Sequence, residues 1–116
     1  PFCKRKYIKI IYNGVGDEFF PLEKGSKNDH NLPSSKYVLF VGTRFPYKNF
    51  DLVVNILEVM PDINLVLVGG GKLKAHEHKK MVSKIRNRFM HYESISAIKL
   101  NELYNRAHCL LYPSKY

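Results

Sequence analysis

The 116-residue sequence has few cysteines and no long apolar segment. Its two cysteines, Cys3 and Cys109, are isolated thiols, which excludes a disulfide-stabilised scaffold and favours a reducing compartment. No apolar run approaches the roughly 18 residues of a membrane span, and residues 1–6 lack the apolar stretch of a signal peptide. We therefore expect a cytoplasmic protein, with any membrane contact limited to peripheral binding through basic residues at the inner face.

Acidic residues are also scarce, since 10 Asp and Glu against 19 Lys and Arg give a formal net charge of +9. Such a surface attracts polyanions, anionic lipid headgroups or phosphorylated small molecules. The apolar fraction of 45% and the charged fraction of 25% are ordinary for a globular protein and exclude a disordered or fibrous chain. A chain of this length accommodates one domain with its own core.

Strand-like and helix-like patterns alternate along residues 36–116. Four short apolar runs predict strands at residues 37–41, 65–68, 89–92 and 109–112. Helical spacing predicts a helix at 50–57 with Asn49 as its N-cap, a basic helix at 72–87, and a third helix capped by Ser96. Strands that alternate with helices indicate an α/β fold, a Rossmann-like parallel sheet with flanking helices.

Residues 1–35 precede this regular pattern. Residues 8–12 are rich in β-branched side chains and predict a short strand that ends at Asn13-Gly14. Residues 14–35 carry turn-forming residues without a sustained period, which is typical of a surface connector. We therefore divide the chain into a hinge or leading segment at 1–35 and a partial Rossmann-like domain at 36–116.

The loop after the first predicted strand contains Gly42, Thr43, Arg44 and Lys48. In parallel sheets, ligands bind at the carboxyl ends of the strands, where helix N-termini favour phosphate. The guanidinium of Arg44 and the ammonium of Lys48 can hold a diphosphate between them. A solvated basic loop explains the same residues equally well.

The loop after the second predicted strand is Gly69, Gly70 and Gly71, and it lets the backbone approach a ligand closely. A tight strand-to-helix turn needs the same residues. Lys74 occupies the third glycine position of a dinucleotide fingerprint, so that motif is excluded.

No metal site is predicted. His76-Glu77-His78 resembles part of a zinc-protease motif, but the second histidine would have to stand at residue 80, which is Lys80. The remaining histidines and cysteines show no paired ligand spacing.

The second predicted helix and the residues around it are strongly basic. The cations are Lys72, Lys74, Lys79, Lys80, Lys84, Arg86 and Arg88. They leave open an alternative function, a noncatalytic basic Rossmann-like module that binds nucleic acid or another polyanion. Aromatic residues do not interleave with these cations, which disfavours nucleic acid, and a solvated helix face is the ordinary interpretation.

Five segments carry a resemblance to a known family. They are residues 8–15 with Phe20-Pro21, residues 38–42 with Lys48-Asn49-Phe50, residues 65–71, Ile95-Ser96 with the apolar face of the next helix, and residues 110–116. In this order and spacing they resemble the retaining glycosyltransferases of family 4, the glycosyl transferases group 1. Members have the GT-B fold, in which two Rossmann-like domains face each other.

The resemblance implies a part of the C-terminal, nucleotide-sugar-binding domain, which ends before a Glu-Gly-Phe-Gly stretch and lacks the N-terminal acceptor domain. The parent protein would transfer a sugar from a nucleotide sugar to a saccharide or lipid-linked acceptor with retention, and would need no metal or other cofactor. The chain alone is expected to be inactive, because charge stabilisation needs both sides of the cleft.

Carried over by position, the resemblance makes Lys48 and Arg44 the predicted catalytic residues, which neutralise charge on the leaving diphosphate. Gly42 and Thr43 complete the diphosphate loop, and Thr43 stands where many members carry arginine. The remaining assignments are to the loops of the nucleotide pocket: Gly69, Gly70, Gly71, Tyr92, Glu93 and Ser94.

Overall fold

The computed structural model describes residues 9–23 and 31–115, and these contain a four-stranded sheet with helices on both faces. In chain order the elements are β1 (Tyr37–Val41), a 3₁₀ turn (Pro46–Lys48), α1 (Phe50–Glu58), β2 (Asn64–Val68), α2 (Ala75–Ile85), β3 (Phe89–Tyr92), α3 (Ala97–Arg106) and β4 (Cys109–Leu110). The strand order is β3-β2-β1-β4, and each adjacent pair is parallel. The predicted α/β, Rossmann-like architecture is confirmed.

The two central strands have unbroken apolar sequences because both of their faces are buried. In β1, Val38 and Phe40 face one core cluster, which α1 and α2 cover, while Tyr37 and Leu39 face a second cluster that includes Leu103 of α3. β2 alternates in the same way, in register with β1 from Tyr37↔Asn64 to Val41↔Val68. Period-two alternation within an all-apolar run therefore builds two cores, one on each side of the sheet.

Each helix buries one face against this sheet. α1 does so with residues at helical spacing, namely Phe50, Val53, Val54 and Leu57. The chain runs from β1 outward to β3 and then returns to β4. Crossovers of one hand therefore place α1 and α2 on one face and α3 on the other. This reversal creates a topological switch point between β1 and β4, where open parallel sheets bind ligands.

The structure corrects the predicted bounds of two elements. β4 ends at Leu110 rather than at residue 112. Leu111 still donates to the Leu39 carbonyl (2.9 Å), and the chain then leaves the sheet where Tyr112 contacts Lys48. The helix predicted at 72–87 begins at Ala75 and ends at Ile85. Its predicted first turn is instead part of a loop, and Arg86 leaves the helix with φ of 56°.

Both predicted residues stand at the N-cap positions of their helices, but only Ser96 makes a side-chain cap hydrogen bond. Asn49 lies in the left-handed region (φ 55°), and its side chain makes no cap hydrogen bond. Its N–H instead donates to the Pro46 carbonyl (3.1 Å) and closes the 3₁₀ turn. Ser96 caps α3 as predicted, since its Oγ accepts from the N–H of Lys99 (3.2 Å).

The leading segment forms no strand where it is described. Ile8 lies outside the described residues, and residues 9–12 are exposed, because no described strand lies beside them to complete a ladder. Residues 20–22 are held by two side-chain amides of α3. The N–H groups of Phe20 and Leu22 donate to Oδ1 of Asn101 (3.1 Å) and of Asn105 (2.8 Å). The division of the chain at residue 35 stays a prediction.

Tyr37 joins the sheet to α3 and makes the stability of the folded protein vary with pH in the alkaline range. Its hydroxyl donates to the Leu103 carbonyl (2.8 Å), and the residue is 1% exposed. Burial raises the pKa of Tyr37 from 10.0 to about 12, and the smaller opposing effect of Arg106 does not offset it. Because the folded state holds the phenol proton more tightly, this contribution to stability is complete below pH 10 and is lost as the pH rises toward 12.

We therefore expect urea unfolding to show a smaller loss of stability between pH 8 and pH 11 for Tyr37→Phe than for the wild type. At pH 8 the variant should be less stable by about 1 kcal/mol, the net contribution of one buried hydrogen bond. Tyr12→Phe, which removes the hydroxyl of an exposed tyrosine, is the matched control. Identical pH profiles for wild type and Tyr37→Phe would contradict this account.

Candidate functional site

The candidate site lies at the carboxyl edge of the sheet, where the loops after β1 and β4 meet. The predicted phosphate loop, residues 42–49, follows β1, and residues 111–115 follow β4. Their backbones join through the N–H of Lys115, which donates to the Tyr47 carbonyl (2.8 Å). The site therefore occupies the switch point that the strand order creates.

Lys48, the last residue of the 3₁₀ turn, projects its ammonium group between two aromatic rings. Nζ donates to the Tyr112 hydroxyl and lies 4.3 Å from the Tyr112 ring centroid and 5.1 Å from that of Tyr47. Tyr112 in turn stacks on the buried ring of Phe40, with centroids 6.1 Å apart. No carboxylate of the described residues forms an ion pair with Lys48. The site thus presents a positive charge that no acidic side chain within residues 9–23 and 31–115 neutralises.

Arg44, the second predicted catalytic residue, is directed toward the glycine loop, residues 69–72. Its Nη atoms donate to the four successive carbonyls of that loop, at 3.2, 3.2, 3.3 and 3.2 Å. Its Nε lies 3.3 Å from Oε1 of Glu77 in an ion pair, and the side chain is 4% exposed. The structure therefore brings Arg44 together with Gly69, Gly70 and Gly71, whereas Lys48 contacts Tyr47 and Tyr112.

The glycine loop needs glycine for two reasons. Gly69, Gly70 and Gly71 have φ of 75°, 74° and 70°, which side-chain-bearing residues rarely adopt. A Cβ on Gly70 would also lie 2.5 Å from the Gly42 carbonyl oxygen and 2.6 Å from Nη1 of Arg44. The loop therefore packs directly on the start of the phosphate loop.

Backbone hydrogen bonds align the loops after β1, β2 and β3. Gly42 N–H donates to the Val68 carbonyl and Gly69 N–H donates to the Tyr92 carbonyl, both at 2.8 Å. The Tyr92 hydroxyl, however, turns to the Asn31 carbonyl (2.7 Å). Glu93 and Ser94 are exposed just after Tyr92, and Thr43 is half-buried beside Gly42. Their assignment to the diphosphate loop and the nucleotide pocket stays a prediction.

Three residues of this region were missed by the sequence prediction: Tyr47, Tyr112 and Glu77. Glu77 had a weak signal, because a glutamate three residues after an N-cap residue can accept from the N-cap N–H, and its Oε2 accepts from the N–H of Lys74 (2.9 Å). The sequence signal for Tyr112 was weaker: it stands at the end of the predicted strand that pairs with β1. Nothing in the local sequence distinguishes Tyr47 from a surface aromatic.

A cleft of about 410 Å³ lies beside Arg44, between the N-terminal turns of α1 and α2. Its acidic residues are already paired, Glu77 with Arg44 and Asp51 with Lys80 (2.8 Å). Across residues 9–23 and 31–115, no three His, Cys, Asp or Glu side chains are grouped so that they could hold a metal ion. None of the helices described here is long and apolar enough to cross a membrane.

Comparison with known proteins gives the site its context. The sequence profile of the glycosyl transferases group 1 matches residues 23–116. The O-antigen chain mannosyltransferase RfbU of Salmonella typhimurium is 31% identical over 112 residues, which cover 92% of this chain and 29% of that protein. No solved structure matches the chain. A profile match over most of the chain and this level of identity establish that the chain belongs to the glycosyl transferases group 1.

Proposed function

We propose that the protein containing this chain transfers a sugar from a nucleotide sugar to a saccharide or lipid-linked acceptor, with retention of configuration. The chain spans 29% of the length of the mannosyltransferase it resembles, and we assign it the binding of the donor. The single observation that carries the proposal is the ammonium of Lys48, fixed at the switch point without an acidic partner among the described residues. A diphosphate is the kind of group that such a site attracts.

Lys48 acts on the leaving group. As the bond between the sugar and the diphosphate breaks, negative charge accumulates on the phosphate oxygens, and a positive charge already in place stabilises it without further reorganisation. The Tyr112 hydroxyl and the rings of Tyr112 and Tyr47 hold the ammonium in position, so little side-chain freedom is lost when the donor binds.

The glycine loop supplies the second part of the donor site. Its backbone carries no side chains at Gly69, Gly70 and Gly71, so a ligand can approach it closely. Arg44 directs its Nη groups at the loop carbonyls, and we propose that its positive charge acts on the donor from behind this loop. Lys48 is then the side chain that reaches the diphosphate directly.

The proposal is tested by calorimetric titration of the complete protein with UDP-, GDP- and ADP-sugars, followed by a turnover assay with the donor that binds. GDP-mannose is the first donor to test, because the similar Salmonella protein is named a mannosyltransferase. We expect one donor to bind in the micromolar to millimolar range common for enzyme substrates. An anomeric NMR assignment of the product tests retention. Absence of binding by every nucleotide sugar would overturn the proposal.

The alternative, a polyanion-binding module, rests on the net charge of +9 and the basic residues around α2. Three of these seven cations have other roles. Lys80 and Lys84 pair with Asp51 and Glu58, each at 2.8 Å. Arg88 donates to three backbone carbonyls in the last turn of α1 and the loop that follows it, at 2.6 to 3.0 Å. A single-stranded oligonucleotide that bound more tightly than any nucleotide sugar, with steep salt dependence, would favour this alternative.

A further inference from the structure

The glycine loop has a conformation that its own sequence does not stabilise. Three successive residues with positive φ direct the carbonyls of residues 69–72 toward one point, and Arg44 occupies that point. Four carbonyl dipoles that converge in this way repel one another unless a cation lies among them. The loop conformation therefore depends on Arg44 staying where it is.

Glu77 holds Arg44 there. The Arg44 side chain is 4% exposed, and a cation so largely removed from water needs an anionic partner. Glu77 is the only carboxylate of the described residues that pairs with it, and Glu77 is itself 12% exposed. One carboxylate oxygen lies 3.3 Å from Arg44 Nε, while the other accepts from the N–H of Lys74 at the start of α2 (2.9 Å). Glu77 thus connects the first turn of α2 to the loop that precedes it.

We propose that Glu77 is a positioning residue of the donor site, which acts through Arg44 to fix the conformation of the glycine loop. The effect on donor binding rests on the proposed function. The effect of Glu77 on the conformation of the glycine loop does not. The loop meets the start of the phosphate loop at Gly42 and the end of β3 at Tyr92. A disordered glycine loop would therefore disturb both neighbours, and the donor would bind more weakly.

The test compares Glu77→Gln with Glu58→Gln in the complete protein. Glu77→Gln keeps an oxygen for the Lys74 N–H and replaces the carboxylate oxygen that faces Arg44 by an uncharged amide NH2, which cannot accept from Nε. Glu58→Gln breaks the ion pair with Lys84 (2.8 Å), which joins the last turns of α1 and α2 rather than the first turn of α2, and is the matched control. Without donor, we expect amide hydrogen exchange of residues 69–74 to accelerate about tenfold or more in Glu77→Gln and to stay unchanged in Glu58→Gln.

Donor binding supplies the second measurement. Glu77→Gln should raise the donor Kd and KM about tenfold and lower kcat less than threefold, because the loop orders only when the donor binds. Arg44→Gln should raise the donor Kd by a similar factor and lower kcat more than Glu77→Gln does, because it also removes the positive charge proposed to act on the donor. The donor Kd of the double variant should be no higher than that of the weaker-binding single variant, since both residues act on the loop through one contact.

Unchanged hydrogen exchange in Glu77→Gln, or fully additive effects in the double variant, would overturn the inference. Faster exchange with unaltered donor affinity would overturn the role in donor binding. A wild-type protein that binds no nucleotide sugar would overturn the proposed function instead, and hydrogen exchange would still decide whether Glu77 fixes the loop.

Discussion

Replacing Lys48 by alanine should lower kcat/KM for the nucleotide sugar by about 10²–10³-fold and leave the fold intact. Two opposite unit charges 4 Å apart attract by about 4 kcal/mol at an effective dielectric constant near 20, which corresponds to roughly three decades of rate. Lys48 belongs to neither core cluster, and its ammonium lies beside the half-exposed rings of Tyr47 and Tyr112. Steady-state kinetics and circular dichroism of the complete protein measure both effects.

Lys79→Ala is the control for this experiment, because it removes the same charge from an exposed position on α2. Its kcat/KM should stay within about twofold of the wild type. Tyr112→Phe keeps the ring that faces Lys48 and removes the hydroxyl that accepts its hydrogen bond, so we expect an intermediate loss of rate. A rate for Lys48→Ala equal to that of the wild type would exclude Lys48 as a diphosphate ligand.

Gly70→Ala should be the most destabilising single-methyl change in the glycine loop. Positive φ costs a residue with a side chain about 1–2 kcal/mol. At Gly70 the added Cβ also meets the Gly42 carbonyl oxygen at 2.5 Å, and overpacking of this kind costs about 1–3 kcal/mol more. We therefore expect the free energy of unfolding to fall by about 2–5 kcal/mol in urea titrations.

Gly71→Ala separates these two causes. Its φ of 70° is nearly the same as the 74° of Gly70, but a Cβ at Gly71 has no neighbour within 4 Å. The substitution should therefore cost only the backbone strain of about 1–2 kcal/mol. Equal losses of stability at the two positions would show that the contact of the added Cβ with Gly42 does not destabilise the fold.

The sheet was predictable because its signals are local. An all-apolar run of four or five residues followed by glycine is typical of a strand buried on both faces, as in β1 and β2. The helical spacing of Phe50, Val53, Val54 and Leu57 is equally direct. Element ends were less predictable, since Lys72 and Tyr112 leave their elements to make contacts with distant residues.

The amino-acid sequence by itself determined the order of strands and helices, the parallel sheet, the resemblance to the glycosyltransferases and the presence of two cations after β1. Only the tertiary structure decided which cation faces which partner. Lys48 meets Tyr112 across 64 residues of sequence, and Arg44 meets the glycine loop across 25 to 28. Local propensity and periodicity extend over a few residues and contain no information about such pairings. They depend on the lateral order of the strands, which brings loops distant in sequence to one edge of the sheet.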